Sequence, residues 1–300
     1  MPGLPTYGEL PRHALAPGAR RAAVLGRPVA HSLSPVLHHA AYQALGLDWV
    51  YGRAEAGEED LAGLLAALDD QWAGLSLTMP LKHAALGHLD VVDELAEVVG
   101  AVNTVLVQPG ARGGRPILVG ANTDVYGIVA ALREAAPDGW RPRTAVVLGA
   151  GATAASSLAA LGQLGATAPV VVARSAARAA GTLQAGRRMG VDVTLRPWSD
   201  AAAAVAGADV VVSTLPAGGA DELAAVLGAG PAGRPGAVLL DVAYDPWPSA
   251  LASTWAAAGG LVAPGWGMLL HQGAEQVRLM TGRPAPVAAM RAALEGALAR

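Results

Sequence analysis

Two glycines, Gly149 and Gly151, stand directly after the apolar run Val146-Val147-Leu148 and directly before an alanine-rich stretch; residues 144–154 read TAVVLGAGATA. Such a run suits a buried parallel strand, and the glycines turn it into a helix. The backbone N–H groups of Gly149, Ala150, Gly151, Ala152, Thr153 and Ala154 would then gather at a helix N-terminus. That is where a pyrophosphate is held, and glycine lets the backbone approach it closely. Ala154 fills the third small position of the G-x-G-x-x-G/A pattern. In NAD-binding versions of this fold an acidic residue about 20 positions further on accepts hydrogen bonds from the adenosine ribose. Here no Asp or Glu occurs between Asp138 and Asp192, and the next strand-like run ends in Arg174-Ser175. Cation and hydroxyl at that point suit a 2′-phosphate, so the reading is NADP(H), with Arg174 and Arg178 pairing with the phosphate and Ser175 donating to it.

A second set of polar residues lies at expected strand ends and helix starts: HSLSP (31–35), GLSLTMPLK (74–82), GAVNT (100–104), GANTD (120–124) and HQGAE (271–275). Ligands of open α/β proteins bind outside the carboxyl ends of strands, so this placement is what a site requires. Plainer roles compete at each position. Ser34 before Pro35 makes a good helix N-cap with proline in the first turn. Asp124 suits a helix dipole, Lys82 a solvated surface, and Asn103 and Asn122 ordinary turns. His31, His38 and His39 invite a metal, but the helical i, i+4 pair and any companion cysteine are missing, so no metal site is expected.

The elements that must position these groups alternate along the chain. Strand-like runs at 144–149, 169–173, 191–195, 209–213, 238–242 and 261–263 are separated by helical stretches long enough for parallel crossovers. Runs at 22–25, 49–53, 74–78, 102–107 and 117–119, with helices at 35–45 and 58–68, form a second α/β layer without a glycine fingerprint. A helix over 125–136 joins the halves. Two final helices, 268–280 and 286–298, have no place in a six-stranded nucleotide fold and are expected to fold back onto the first half. The predicted architecture is therefore α/β with two domains: an N-terminal α/β domain of 21–123 completed by the C-terminal helices of 268–300, and a Rossmann-like, doubly wound NADP-binding domain of 124–267, after a leader of 1–20.

The whole chain limits the alternatives. With 300 residues, 53% of them apolar and 15% charged, it is long enough for two cores. A net charge of −3 gives no field for nucleic acid, and the glycines and Pro169 break the charge-free stretch that might otherwise read as a membrane span. Cysteine is absent, which removes disulfides and thiolate chemistry and is compatible with a cytoplasmic location. The expected partner is a small molecule, and a homodimer is an assembly open to it.

Taken together, GRPVAHSLSPVLHHAAY, GLSLTMPLK, GAVNT, GANTDVYG, VLGAGATA, ARS, ADVVVSTLP, DVAYDPWPSAL and GMLLHQGAEQVRLMTG resemble the shikimate dehydrogenase family over nearly the whole chain, 22–282. The resemblance implies NADPH-dependent reduction of 3-dehydroshikimate to shikimate, a hydroxylated cyclohexene carboxylate, in aromatic biosynthesis. It makes Lys82 and Asp124 the catalytic pair. Ser32 and Ser34, with Tyr244, would hold the substrate carboxylate; Thr78, Asn103, Asp124 and Gln272 would bind ring hydroxyls. The nicotinamide would sit near Gly267 and Met268, and Thr214 and Gly265 would also bind the cofactor. Ser76 and His39 stand where the family often has Asn, and STLP replaces a more common NTTP. Quinate or aminoshikimate oxidation on the same fold, and a non-catalytic NADP sensor, are the competing readings.

Overall fold

The strands of the glycine-containing half are short, and in the computed structural model, which describes residues 15–110, 114–229 and 234–299, all of them pair in parallel. The strands are β7 (Ala145–Leu148), β8 (Val170–Ala173), β9 (Thr194–Pro197), β10 (Val210–Ser213), β11 (Val238–Asp241) and β12 (Leu261–Pro264), in the order β12-β11-β10-β7-β8-β9. Counted within this sheet that is 3-2-1-4-5-6 read from β9, the doubly wound order with its switch point between β7 and β10. Helices α6 (Ala152–Gln163), α7 (Ala176–Arg188), α8 (Ala201–Ala206), α9 (Asp221–Gly228) and α10 (Ala250–Ala257) make the crossovers. Burial on both sheet faces explains the unbroken valine and leucine runs. Val146, Leu148, Val172, Val211, Leu239, Leu223 and Trp255 pack in one core.

The other half forms a mixed six-stranded sheet. Its strands are β1 (Arg21–Gly26), β2 (Val50–Glu55), β3 (Trp72–Leu77), β4 (Val91–Val92), β5 (Thr104–Gln108) and β6 (Ile117–Ala121), ordered β2-β1-β3-β5-β6-β4. β5 runs antiparallel to both β3 and β6, whereas β1 pairs in parallel with β2 and β3. Helices α1 (Ser34–Ala44), α2 (Glu58–Ala66), α3 (Leu81–Ala84) and α4 (Glu94–Val99) connect the strands. Leu25, Leu61, Leu64, Trp72, Leu75 and Leu77 share its core.

The chain divides into two compact units. One runs up to Thr123 and resumes at Gln272; the other is Asp124–His271. α5 (Asp124–Ala135) opens the second unit, while α11 (Gly265–Thr281) begins in the second and ends in the first. α12 (Val287–Leu298) belongs to the first unit, whose α1 it packs against. Among the described residues no helix is long and apolar enough to cross a membrane. Most of the leader expected at 1–20 lies outside the described residues.

Four local expectations need correction. The strand expected at 191–195 begins at Thr194, because Gly190 takes a left-handed φ of 68° and Val191 N–H turns back to the carbonyl of Gly186 at 2.9 Å, closing α7. The two-residue β4 was not foreseen. α11 starts at Gly265 and not at 268, so Gly265 and Gly267 lie within the helix. A Cβ on Gly265 would press on the carbonyls of Asp241 and Val242, which is why this first helical turn takes glycine. Finally, Ser34 does not cap α1: Leu33 occupies the cap position, and no side chain caps the helix.

Candidate functional site

At the switch point of the parallel sheet, Gly149 follows β7 with φ at 106°, a conformation that residues with a Cβ rarely adopt. A Cβ there would also run into Thr214 Oγ1, at the end of β10. Thr214 braces the turn, since its N–H and its hydroxyl both donate to the carbonyl of Leu148, each at 2.9 Å. Gly151 is the N-cap of α6 and has no side-chain cap, and nothing would lie within 4 Å of a Cβ built on it. The first N–H groups of α6 are therefore left without a side-chain cap, as an anion site demands.

At the end of β8, the Arg174 guanidinium donates from Nη2 to the carbonyl of Gly219 at 3.0 Å and lies 5.1 Å from the Trp198 ring centre. Ser175 caps α7 by accepting from Arg178 N–H at 3.4 Å, which leaves its own proton available to an anion. Trp198 was not singled out in the sequence, where a tryptophan after a proline has no fixed partner. Met268 is buried in α11 of the same unit. Tyr244 lies just past β11, where Asp241 secures the segment by accepting from Ser249 Oγ at 2.7 Å and Ala243 N–H at 3.4 Å. Burial pushes the Asp241 carboxyl above its usual range, against the hydrogen bond from Ser249.

In the first unit the pairing directions bring the carboxyl ends of β1, β3 and β6 and the amino end of β5 to one edge. The switch point here falls between β1 and β3. Their ends approach so closely that a Cβ on Gly26 would overlap Thr78 Cγ2. Ser32 follows β1, and its Oγ accepts from Ser34 N–H at 3.3 Å. Thr78 leaves β3 with its N–H on the carbonyl of Leu25 at 2.9 Å, and Leu81 N–H returns to the Thr78 carbonyl at 2.8 Å. This turn presents Lys82, half-buried in α3, whose own carbonyl accepts from Val102 N–H at 2.8 Å. Gly100, with φ at 75°, ends α4 and redirects the chain so that Asn103 arrives at the start of β5.

Asn103 is 2% exposed and its orientation is dictated by its partners. Its Oδ1 accepts from Thr123 N–H and from Thr104 Oγ1, both at 2.8 Å, so Nδ2 must be the other terminus. Nδ2 donates to Thr123 Oγ1 at 3.0 Å and to Gln272 Oε1 at 3.4 Å. Asn122 serves the backbone, donating to the carbonyl of Ala101 at 2.9 Å. Asp124 follows Thr123 directly and is buried at the first position of α5, in the second unit. Ser32, Ser34, Thr78, Lys82, Asn103 and Gln272 thus share the first unit. Asp124, Tyr244 and the expected cofactor residues belong to the second.

Ser76, His38 and His39 are engaged by neighbouring side chains and backbone. Ser76 Oγ lies 2.6 Å from the Tyr51 hydroxyl and donates to Gln276 Oε1 at 2.8 Å. His39 Nε2 accepts from Tyr51 N–H at 3.2 Å. His38 is fully buried, stacked on Tyr51 with ring centres 4.0 Å apart. Loss of hydration pushes its pKa down to about 3, although the Gln276 oxygen favours the charged form. The unfolded chain therefore takes up a proton here that the folded chain refuses, between the ordinary value of 6.5 and about 3. This contribution is intact above 6.5 and is lost as pH falls. Going from about pH 7.5 to about pH 5 should cost the wild type about 2 kcal/mol more than a His38→Gln variant. Urea unfolding of both proteins at the two pH values checks it; equal losses would exclude His38 as the cause.

The class follows from these features: a doubly wound nucleotide fold with its glycine turn at the switch point, inserted into a second α/β unit that gathers polar side chains at one sheet edge. Residues 24–105 match the profile of the shikimate dehydrogenase substrate binding domain, and residues 265–295 that of the shikimate 5′-dehydrogenase C-terminal domain. A shikimate dehydrogenase (NADP(+)) of Citrifermentans bemidjiense is 39% identical over 92% of this chain and 95% of its own. The crystal structure of Mycobacterium tuberculosis shikimate dehydrogenase is 42% identical, covers 92% of this chain and 99% of its own, and superposes with a TM-score of 0.78. That of Thermus thermophilus shikimate 5-dehydrogenase, in complex with NADP(H) and shikimate, is 33% identical over 93% and 100%, with a TM-score of 0.75. The chain belongs to the shikimate dehydrogenase family.

Proposed function

We propose that the protein interconverts 3-dehydroshikimate and shikimate with NADP(H). The observation that carries this reading is the sheet edge of the first unit, where one turn presents the Lys82 amine and an adjoining one holds the Asn103 amide in a single orientation. A ring bearing a ketone and hydroxyls needs such a pairing of a proton donor with directional hydrogen-bonding groups. The glycine turn, the uncapped α6 and the Arg174 and Ser175 pair suit a dinucleotide carrying a 2′-phosphate. When bound, NADP(H) supplies or takes up the hydride.

The chain's own residues do the rest. Reduction leaves negative charge on the former ketone oxygen, and Lys82 Nζ donates its proton there; in the reverse direction it accepts the hydroxyl proton. Asp124 aims the ammonium and accepts from a ring hydroxyl. Thr78, Asn103 and Gln272 hold ring hydroxyls, while Ser32, Ser34 and Tyr244 hold the carboxylate. Gly265, Gly267 and Met268 line the nicotinamide side, and Thr214 keeps the glycine turn in place. In this reading the first unit receives the ring acid and the second the dinucleotide.

Purified protein assayed with shikimate, quinate and aminoshikimate, each with NADP⁺ and with NAD⁺, tests the proposal by nicotinamide absorbance. Shikimate with NADP⁺ is expected to have the highest kcat/KM. Preferred oxidation of quinate with NAD⁺ would replace the reading with the quinate one, and binding of NADPH without turnover of any acid would support a sensor.

A further inference from the structure

Gln276 lies one helical turn after Gln272 on α11 and is 1% exposed. Nothing in the proposed mechanism uses it, yet it makes more buried polar contacts than a packing residue needs. Its Nε2 donates to the carbonyl of Asn103 at 3.3 Å and to Thr104 Oγ1 at 2.9 Å. Its Oε1 accepts from Ser76 Oγ at 2.8 Å and faces His38 Nε2 at 3.3 Å.

A carbonyl oxygen can only accept, so the contact with Asn103 O assigns the amide nitrogen, and every other polarity follows. Oε1 must face Ser76 and His38. His38 therefore carries its proton on Nε2, and its Nδ1 accepts from the Tyr42 hydroxyl at 3.2 Å. Ser76 spends its proton on Gln276 and so accepts from the Tyr51 hydroxyl. Thr104, having accepted from Gln276, gives its proton to Asn103 Oδ1 at 2.8 Å. Donors thus run in one direction from Tyr51 and His38 through Gln276 and Thr104 to the Asn103 side chain. Reversing any link would leave a buried donor or acceptor unpaired, at about 1–3 kcal/mol.

We propose that Gln276 is a positioning residue that holds the Asn103 amide in the orientation Thr123 N–H imposes on it, acting through Thr104 and the Asn103 carbonyl. This rests on the reading in which Asn103 binds a ring hydroxyl. Ser76 enters as part of the same device: a serine donates to Gln276 and accepts from Tyr51 with one hydroxyl. Its place in GLSLT is thus an element of the support and not a lost substrate contact.

Shikimate oxidation by wild type, Gln276→Met, Gln276→Glu and Asn103→Ala, from about pH 6 to about pH 9, tests this. Gln276→Met keeps the volume and deletes the polarity; it should raise KM for shikimate about tenfold and leave KM for NADP⁺ within about twofold. In Gln276→Glu the protonated acid keeps one donor and one acceptor, but the carboxylate has no proton for Thr104 or the Asn103 carbonyl, whether that proton goes to solvent or to His38. Its KM for shikimate should therefore rise with pH relative to wild type and exceed it about tenfold at the alkaline end, a signature that lost packing alone does not give. His38 is the titratable group in contact, with Tyr51 one hydroxyl further away; Glu275 and Arg278 pair with each other at 2.8 Å. A wild-type KM for shikimate in either folded variant overturns the proposal, and should Gln276→Met fail to fold, the Gln276→Glu series decides. Asn103→Ala separates the layers: if it alone raises KM, the positioning role fails and the site stands, whereas an unchanged KM in Asn103→Ala removes the site reading and this inference with it.

Discussion

Lys82→Ala is expected to lower kcat by about 10²–10⁴-fold, the range typical of general acid–base catalysis, while KM for shikimate changes only a few-fold. The structure makes this substitution informative because the backbone at 82 is held independently of the side chain. Thr78 is hydrogen-bonded to Leu25, Leu81 to Thr78, and the Lys82 carbonyl to Val102. Truncation should leave that turn in place and delete little besides the amine. Steady-state kinetics in both directions check it, and a variant with near-normal kcat would remove Lys82 from the proton-transfer role.

Arg174→Asp should lower kcat/KM for NADPH by about 10²-fold, from the loss of charge-assisted hydrogen bonds worth about 1.5–3 kcal/mol together with new repulsion of the 2′-phosphate. Turnover with NADH should change far less, so the preference should move toward NADH. The guanidinium is restrained before any cofactor arrives, by the Gly219 carbonyl and the Trp198 ring. Less side-chain entropy then remains to be lost on binding. A variant that keeps its NADPH preference, or a wild type that uses both cofactors equally, would sink this assignment.

What could be read from the chain follows the range of the forces involved. The glycine turn was legible because its demands are local: one positive φ and one helix start. β7, β8, β10 and β11 were legible because burial on both faces writes itself as runs of valine and leucine. The antiparallel course of β5 and β6 also left a trace that went unread, since Gln108 and Ile117 are too close in sequence for a parallel crossover. β4, at two residues, carries no period to detect. The site divides in the same way. Polar residues at strand ends marked Ser32, Thr78, Lys82, Asn103 and Asp124, whereas Thr123, Tyr51 and Gln276 acquire meaning only from partners that are distant in sequence. The segment 271–275 stopped one residue short of Gln276, although a glutamine four positions after Gln272, on a helix that is otherwise apolar on that face, is itself a signal.

That α11 contributes Gln272 and Gln276 to a sheet built from the start of the chain has a bearing on biosynthesis. As the polypeptide leaves the ribosome, the stretch Asp124–His271 is contiguous and can complete its own sheet first. Ser76, Thr104 and His38 must wait without their central amide until α11 emerges, after the whole of Asp124–His271. The half that would receive the ring acid is begun before the nucleotide fold and completed after it, so truncations that remove the residues after His271 should harm it well before they harm the nucleotide fold.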